Sequence, residues 1–236
     1  MERLDINKVR ALYESIEEVW PRDNLWLQYT KTNIEKYISR HSFDKQSYIL
    51  NAGSGGNTYN LSNRMHHVDI VKELIESFPE HTVCSIEKLT LDASLFSDVI
   101  CVGSVLNYCD LFATASEFSR VLKKGGRLIV EFDSSCSFEH LFNKEYNQSV
   151  ALIEIPYTDK LSIQWIYSPS YVKKVLEKAG FRIAQTFRFH YMSGLHYSKY
   201  KNGDAATAYA RFDAICRYIP CINLHSNNVI YTCIKL

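Results

Sequence analysis

A glycine cluster directly after a short apolar segment constrains the fold of this chain more than any other feature. The segment SYILNA at 47–52 has the composition of a β-strand, and GSGG at 53–56 follows it without a spacer. Glycines at such a junction let the backbone turn tightly and let a ligand approach main-chain amides. The pattern predicts a strand, a tight turn and the start of a helix, with a ligand bound at the turn.

Strand-like and helix-like segments alternate after this cluster. A helical period over 111–124 is followed by two glycines and a strand-like run. Strands joined in this way pair in parallel through right-handed crossovers, and their ligands bind at the carboxyl ends of the strands. We therefore expect an open α/β sheet with its site where strands one, two and four end. The predicted strands after the first one lie at 66–71, 82–86, 98–104 and 127–132.

The segments outside this core have patterns of their own. Apolar residues at three- and four-residue steps over 5–20 predict an amphipathic helix, and a second helix is expected at about 26–40. The stretch 143–168 suggests a two-stranded flap that turns around 157–160. The nearly forty residues at 190–227 are too long for a plain turn, and their helical middle predicts an inserted lid helix before the last strand.

Composition disfavours several classes of protein. Lys+Arg 27 against Asp+Glu 26 gives a net charge of +1, and no basic block is present, so duplex nucleic acid is not favoured as a partner. No apolar run approaches the ~18 residues of a membrane span, and the N-terminus lacks the apolar core of a signal peptide. Seven scattered cysteines without a C-x-x-C pair suggest reduced thiols. We expect a cytoplasmic protein without a membrane segment or a metal site.

Asp69 stands at the end of the second predicted strand, 16 residues after Gly53. A carboxylate at this position accepts the ribose hydroxyls of an adenosine-containing cofactor. A dinucleotide fingerprint would need a further glycine at position 58, where Thr58 stands, so a pyrophosphate site is less favoured. The alternative role of Asp69 is a cap for the helix expected after the strand.

Taken together, these segments resemble a class I S-adenosylmethionine-dependent methyltransferase. The similarity covers roughly 45–135 and is most specific in EFSRVLKKGGRLIVEF, which matches the helix, double-glycine turn and fifth strand of that family. The ending VIYTCIKL resembles its seventh strand. The resemblance implies a three-layer open sheet, mostly parallel with an antiparallel seventh strand, a helical N-terminal cap and a lid insertion before the last strand. We expect one domain over 1–236, divided into a cap at 1–45, a cofactor-binding core at 46–135 and a substrate-side half, with flap and lid, at 136–236.

The resemblance also implies which residues would bind S-adenosylmethionine. The methionine portion would contact the glycine turn and the cap, and an acidic residue is usual where Asn51 stands. The ribose and adenine would contact the ends of strands two and three, and the sulfonium the end of strand four. The residues implied are Tyr29, Asn51, Gly53, Ser54, Gly55, Asp69, Ile70, Ile86, Glu87, Gly103 and Ser104.

Methyl transfer is an in-line displacement at an activated carbon, to which a protein contributes mainly orientation and exclusion of water. A neutral hydroxyl acceptor also needs a base, for which the candidates are Asp110, His190 and His196. Tyrosines of the second half suit a polar acceptor pocket, and a nearby arginine suits a phosphate-like group. The candidate substrate-binding residues are Tyr108, Tyr167, Arg188 and Tyr191.

The expected function is transfer of a methyl group to an oxygen or nitrogen of a small polar metabolite, with a sugar or a phosphate-like compound as candidate acceptor. A protein or RNA methyltransferase is an alternative, less favoured because NYCD at 107–110 replaces the N/D-P-P-Y/F motif. A second alternative is a non-catalytic binding module in which Asn51 and Asn57 mark lost activity. A dehydrogenase is the third.

Overall fold

The structure is a computed structural model that describes residues 4–157 and 160–236. Its α-helices are α1 (Ile6–Glu14), α2 (Leu25–Ser39), α3 (Leu111–Val121), α4 (Pro169–Lys178), α5 (Met192–Tyr200), α6 (Gly203–Thr207) and α7 (Asp213–Cys216). Its strands are β1 (Tyr48–Ala52), β2 (Arg64–Asp69), β3 (His81–Val83), β4 (Phe96–Cys101), β5 (Leu122–Asp133), β6 (Val150–Tyr157), β7 (Lys160–Tyr167), β8 (Phe181–Phe189) and β9 (Asn228–Lys235).

Seven strands form one sheet in the order β3-β2-β1-β4-β5-β9-β8. The first five of these pair in parallel, whereas β9 is antiparallel to both of its neighbours. The predicted antiparallel insertion of the last strand between the fifth and sixth core strands is therefore confirmed. The order of the strands in the sheet changes direction between β1 and β4. Open α/β sheets bind ligands at the carboxyl ends of the strands beside such a change of direction.

Helices cover both faces of the sheet, which makes three layers. Alternate residues of a strand point to opposite faces, so Leu50 and Val99 pack towards α3 and α4, whereas Ile49 and Ile100 pack towards α2. All four side chains are fully buried. At roughly 1.5–3 kcal/mol for each buried aliphatic side chain, these two apolar layers supply most of the stabilisation of the sheet.

The expected helix after the glycine cluster is absent from the described residues, which is a correction to the sequence prediction. Residues 53–63 form turns, and Tyr59 and Asn60 have positive φ angles of 53° and 55°. Such left-handed backbone cannot continue a helix, and the segment is rich in glycine and asparagine, which are poor helix formers. The helix expected after β2 is also reduced, to a 3₁₀ turn at Lys72–Leu74.

The second half contains the predicted flap and a helical insertion. β6 and β7 pair as an antiparallel two-stranded sheet, and the predicted turn between them, at 158–159, lies outside the described residues. Between β8 and β9 the chain forms α5, α6 and α7 rather than one lid helix. No helix within the described parts of the chain is long and apolar enough to cross a membrane.

Candidate functional site: two adjoining cavities

A first cavity opens at the carboxyl ends of β1, β2 and β4. Most of the residues that the resemblance assigns to the cofactor line it. Those residues are Gly53, Ser54, Gly55, Asp69, Ile70, Ile86, Glu87 and Gly103. The cavity is called the cofactor cavity below.

The glycine turn has a conformation that other residues rarely adopt. Gly53 has φ +68°, and a Cβ atom on it would lie 2.4 Å from Cγ1 of Val105. The amide nitrogens of Gly53 and Ser54 donate to the carbonyl oxygen of Val68 at 2.9 and 3.0 Å. A glycine is therefore required here, because the turn folds back over β2 with no space for a side chain.

Asp69 is held by main-chain donors at the edge of this cavity. Its Oδ2 accepts a hydrogen bond from the amide of Gly55 at 2.9 Å, and its Oδ1 accepts one from the amide of Val71 at 3.0 Å. Burial raises the pKa of Asp69, and the main-chain hydrogen bonds oppose that rise. Each carboxylate oxygen carries a second lone pair. Asp69 therefore has the capacity to accept hydroxyl donors as well.

Two of the predicted cofactor-binding residues have other partners. The side-chain amide of Asn51 is fully buried and donates to the carbonyl of Asn57 at 2.6 Å, inside the turn. The hydroxyl of Tyr29 donates to Asp213 at 3.1 Å, which joins α2 to α7. Neither residue lies against the cofactor cavity, so the structure gives their predicted roles no geometric support.

Helix α1 lies over the cofactor cavity. Ile6, Val9 and Tyr13 of the helix line the cavity, and so does Leu4, which precedes the helix. The Nε of Arg10 donates to the carbonyl oxygen of Ile70 at 3.0 Å, which ties the helix to the end of β2. The space left beneath α1 is only about 100 Å³, and ligand sites usually enclose about 300–1,000 Å³.

A second cavity of about 450 Å³ adjoins the first. Five residues line both cavities: Tyr13, Val19, Trp20, Gly103 and Tyr108. Ser104, which follows Gly103 in the chain, lines the second cavity. Its walls come from the N-terminal segment, the end of β5, the flap, α5 and the loop before β9. We call it the acceptor cavity. Its lining includes Thr30, Asp133, Glu139, His140, Ile153, Ile155, Gln164, Tyr197, Lys201, Asp204 and Asn228.

Two carboxylate residues, Glu131 and Asp133, stand two positions apart at the end of β5. Asp133 lines the acceptor cavity, and its oxygens accept from Ser104 Oγ at 3.0 Å, Asn228 Nδ2 at 2.8 Å and Gln164 Nε2 at 2.8 Å. Glu131 lies behind it, fully buried, and accepts from the amide of Ser104 and from Asn228, both at 2.6 Å. Burial, followed by the charge of Asp133, raises the pKa of Glu131 to about 8. Burial also raises the pKa of Asp133.

Glu139 is a further carboxylate of the acceptor cavity. It accepts no hydrogen bond from the described part of the chain, and burial, together with the charge of Asp133, raises its pKa to about 7. His140 beside it is buried, and burial lowers its pKa to about 4, so it is neutral at pH 7. Lys201 and Asp204 are exposed and therefore lie at the mouth of the cavity.

The three residues proposed from the sequence as bases lie outside both cavities. Asp110 caps α3, accepting from the amides of Phe112 and Ala113 at 2.9 and 3.0 Å. His190 is fully buried against Trp26, and burial lowers its pKa to about 3. His196 stacks on Tyr209 with a centroid distance of 4.5 Å. Because none of them faces the acceptor cavity, the geometry favours the carboxylates at the end of β5 instead.

Of the four predicted substrate-binding residues, Tyr108 alone lines a cavity described here, and it lines both. Tyr167 is fully buried and donates to the carbonyl of Cys109 at 3.0 Å. Tyr191 is also fully buried. Arg188 donates to Ser226 Oγ at 3.4 Å, outside the acceptor cavity, so Arg188 does not serve there as the predicted phosphate ligand.

The sequence reasoning missed Glu131, Asp133 and Glu139. The first two stand at the end of the fifth predicted strand, in VEFD, and residues two apart on a strand share a face. The rule that sites form at the carboxyl ends of parallel strands therefore pointed to them. Glu139 follows in a loop, and no local pattern marks it.

Comparisons with known proteins agree with this geometry. Residues 50–130 match the family model of a methyltransferase domain. Among curated proteins, none matches the chain in sequence. The PH0226 protein from Pyrococcus horikoshii OT3 is similar in structure, with a TM-score of 0.62 and 14% identity over 96% of this chain and 99% of that chain.

Two further similar structures are methyltransferases solved with S-adenosylhomocysteine. Geranyl diphosphate C-methyltransferase from Streptomyces coelicolor A3(2) has a TM-score of 0.60 and 11% identity, over 98% of this chain and 97% of that chain. The 1,6-didemethyltoxoflavin-N1-methyltransferase from Burkholderia thailandensis has a TM-score of 0.56 and 12% identity, over 97% of this chain and 86% of that chain. Residues 50–130 therefore match a methyltransferase domain in sequence, and the chain shares the fold of these two enzymes.

Proposed function

We propose that this enzyme transfers the methyl group of S-adenosylmethionine to an oxygen or nitrogen of a small polar metabolite. The observation that carries the proposal is the wall shared by the two cavities at Trp20, Gly103 and Tyr108. An acceptor in the second cavity would face the sulfonium end of a cofactor bound in the first.

The residues of the cofactor cavity fit this cofactor in chemistry. Asp69 offers carboxylate oxygens to the ribose hydroxyls, and Ile70 and Ile86 offer apolar surface to the adenine. The turn at Gly53–Gly55 lets the methionine portion approach the main chain. When bound, S-adenosylmethionine supplies a methyl carbon that is already activated for attack.

The volume and position of the acceptor cavity support a small acceptor. About 450 Å³ lies within the usual range for small-molecule sites. The flap contributes Ile153 and Ile155 to one wall, and the segment around α5 and α6 contributes Tyr197 and Gly203 to another. These walls limit the size of the molecule that the cavity can hold.

We assign the proton-accepting role to Asp133. Ser104, Gln164 and Asn228 donate to its oxygens and fix their direction. Burial raises its pKa, which makes it a stronger base than an exposed aspartate. Glu131 positions the loop after β4, because it accepts from the amide of Ser104.

Two alternatives from the sequence receive less support. A protein or RNA methyltransferase needs an opening for a large substrate, whereas the acceptor cavity described here is bounded by the flap and by the N-terminal segment. A non-catalytic binding module would not need a carboxylate such as Asp133, which lines the acceptor cavity and accepts from Ser104. The cytoplasmic location also remains a prediction.

The test is calorimetric titration with S-adenosylhomocysteine of the wild-type protein and of Asp69→Ala, with NADH as the control ligand. We expect binding that is weakened at least tenfold in the variant, and no binding of NADH. S-adenosylhomocysteine formation from S-adenosylmethionine is then measured against a panel of small acceptors. Absence of S-adenosylhomocysteine binding would contradict the proposal, and binding of NADH instead would favour a dehydrogenase.

A further inference from the structure

The charges that line the acceptor cavity are unequally distributed between its interior and its mouth. Inside lie the carboxyl groups of Asp133 and Glu139. Lys201 and Asp204 lie at the mouth, both exposed. Burial raises the pKa of Glu139, and the charge of Lys201 opposes that rise. Among the described lining residues, no lysine or arginine lies in the interior, and His140 is neutral at pH 7 because burial lowers its pKa. The interior is therefore an environment that favours a cation.

The two interior carboxylates differ in the partners they already have. Asp133 accepts three hydrogen bonds from neighbouring side chains, whereas Glu139 accepts none from the described residues. A carboxylate that faces a cavity without a donor has the capacity to bind a charged ligand, and a charge-assisted hydrogen bond is stronger than a neutral one. Glu139 is thus available to a ligand.

Apolar and aromatic side chains form further parts of the walls, beside uncharged polar residues such as Thr30, Gln164 and Asn228. Trp20 and Trp26 form part of one side, and the flap isoleucines form part of another. The ring of Trp20 lies close to Gly103, since a Cβ atom there would be 3.2 Å from its Cζ2. Aromatic faces attract cations, and the attraction grows when water is excluded. The indole stands at the wall shared by the two cavities.

We propose that the methyl acceptor is a small amine, whose nitrogen lies between Asp133 and Glu139 and whose apolar part contacts the flap isoleucines and the tryptophans. This inference rests on the proposed function and names its substrate class. It replaces the phosphate-like acceptor expected from Arg188, which donates to Ser226 outside the cavity.

The reaction balances without a further reactant. The acceptor enters as R-NH₃⁺ and gives one proton to a carboxylate of the cavity, which leaves the lone pair of R-NH₂ free. That pair forms the new N–C bond while the C–S bond of the sulfonium breaks and its electrons stay on sulfur. The products are R-NH₂⁺-CH₃ and the neutral sulfide S-adenosylhomocysteine, and the carboxylate later releases its proton to water.

The test uses two matched sets of probes that differ in charge. One set is glucosamine, glucose and glucuronate, and the other is phenethylamine, 2-phenylethanol and phenylacetate. Binding to the full chain is measured by calorimetry at pH 7 with saturating S-adenosylhomocysteine, and methylation by mass spectrometry with S-adenosylmethionine. We expect at least one amine to bind tenfold or more tightly than its neutral and anionic counterparts.

Glu139→Gln and Glu154→Gln form the matched pair of variants. Glu154 is exposed on the flap strand that supplies Ile153 and Ile155, so the same change there leaves the cavity intact. We expect Glu139→Gln to reduce the preference for the amine about tenfold, and Glu154→Gln to keep it.

Three results would overturn the amine proposal. They are equal or tighter binding of an anion or alcohol, a preference that survives in Glu139→Gln, and failure of every amine to bind or to be methylated. Failure of S-adenosylhomocysteine to bind contradicts the proposed function instead. In that case the charge preference among the probes is measured without S-adenosylhomocysteine. Failure of the amine proposal and failure of the proposed function are then distinguishable.

Discussion

The cofactor cavity and the acceptor cavity share a wall but are built in different ways. The cofactor cavity is shaped mainly by main chain at the ends of three adjacent parallel strands, with glycines where the backbone turns. The acceptor cavity is shaped by side chains from the N-terminal segment, β5, the flap and the helices after β8. A cavity of main-chain groups tolerates most side-chain changes but not a change of backbone conformation. A cavity of side chains changes its ligand with single substitutions.

The two cavities also hold their carboxylates differently. Asp69 accepts main-chain amides that belong to the turn itself, so its position follows from the local backbone. Asp133 depends on Gln164 and Asn228, which lie 31 and 95 residues away in the chain. The first arrangement forms whenever the turn forms, whereas the second needs the flap and β9 in place.

The largest effect is expected from Gly53→Ala in the cofactor cavity. An alanine at φ +68° costs about 1–2 kcal/mol in backbone strain, and its Cβ would lie 2.4 Å from Val105. Overpacking of this kind typically costs a further ~1–3 kcal/mol. We expect a lower Tm and loss of S-adenosylhomocysteine binding, measured by thermal denaturation and calorimetry.

Gly125→Ala is the control for that change. Gly125 has φ +76°, but a Cβ atom there meets nothing within 4 Å. The control isolates strain from overpacking, so it should cost about 1–2 kcal/mol and leave S-adenosylhomocysteine affinity unchanged. Equal losses in both variants would show that the contact with Val105 has no special role.

The second prediction separates chemistry from cofactor binding. With an acceptor from the panel, Asp133→Asn should lower kcat by about 100-fold or more, because a positioned base contributes about that factor. The Kd of S-adenosylhomocysteine should change little. Asp110→Asn should leave both values unchanged, since asparagine caps a helix as well as aspartate does. A fall in kcat in Asp110→Asn alone would restore the base expected from the sequence.

The third prediction concerns the cover of the cofactor cavity. The space beneath α1 is only about 100 Å³, so we expect the helix to move when a cofactor binds. Arg10→Ala removes the hydrogen bond to Ile70, and a hydrogen bond contributes about 0.5–1.5 kcal/mol. We expect S-adenosylhomocysteine to dissociate about 2- to 10-fold faster in stopped-flow measurements. Lys8→Ala, on the exposed side of α1, is the control and should dissociate as the wild type does.

The fourth prediction is a pH dependence of stability that arises at the base of the acceptor cavity. The pKa of Glu131 is raised to about 8 in the folded chain, above its ordinary value of ~4.3 in the unfolded chain. The folded state therefore binds more protons, and the stability present at low pH is lost as the pH rises through 8.

Chemical denaturation of the wild type and of Glu131→Gln between pH 6.5 and 8 measures this effect. One proton contributes at most about 1.4 kcal/mol per pH unit. The wild type should lose stability relative to the variant as the pH rises. Parallel pH profiles for the two proteins would show that Glu131 does not take up the extra proton.

Local sequence patterns pointed to most of the residues that line the cofactor cavity, for a physical reason. Strand periodicity, the glycines at 53–56 and Asp69 at a strand end each act within a few residues. The predicted helix after the turn was wrong because left-handed residues at Tyr59 and Asn60 follow the glycines. Helix α2, which precedes β1, covers that face of the sheet instead.

What the sequence by itself determined is the alternation of core strands and helices, the glycine turn and the carboxylate at the end of β2, and the resemblance to a known family added the antiparallel last strand. Only the tertiary structure decided which polar residues meet beyond them. His190 looked available for catalysis in the sequence, but packing against Trp26 buries it. Glu139 has no local signal, yet the tertiary structure places it in the same cavity as Asp133. Residues brought together by long-range packing leave no local pattern, and the acceptor cavity consists largely of such residues.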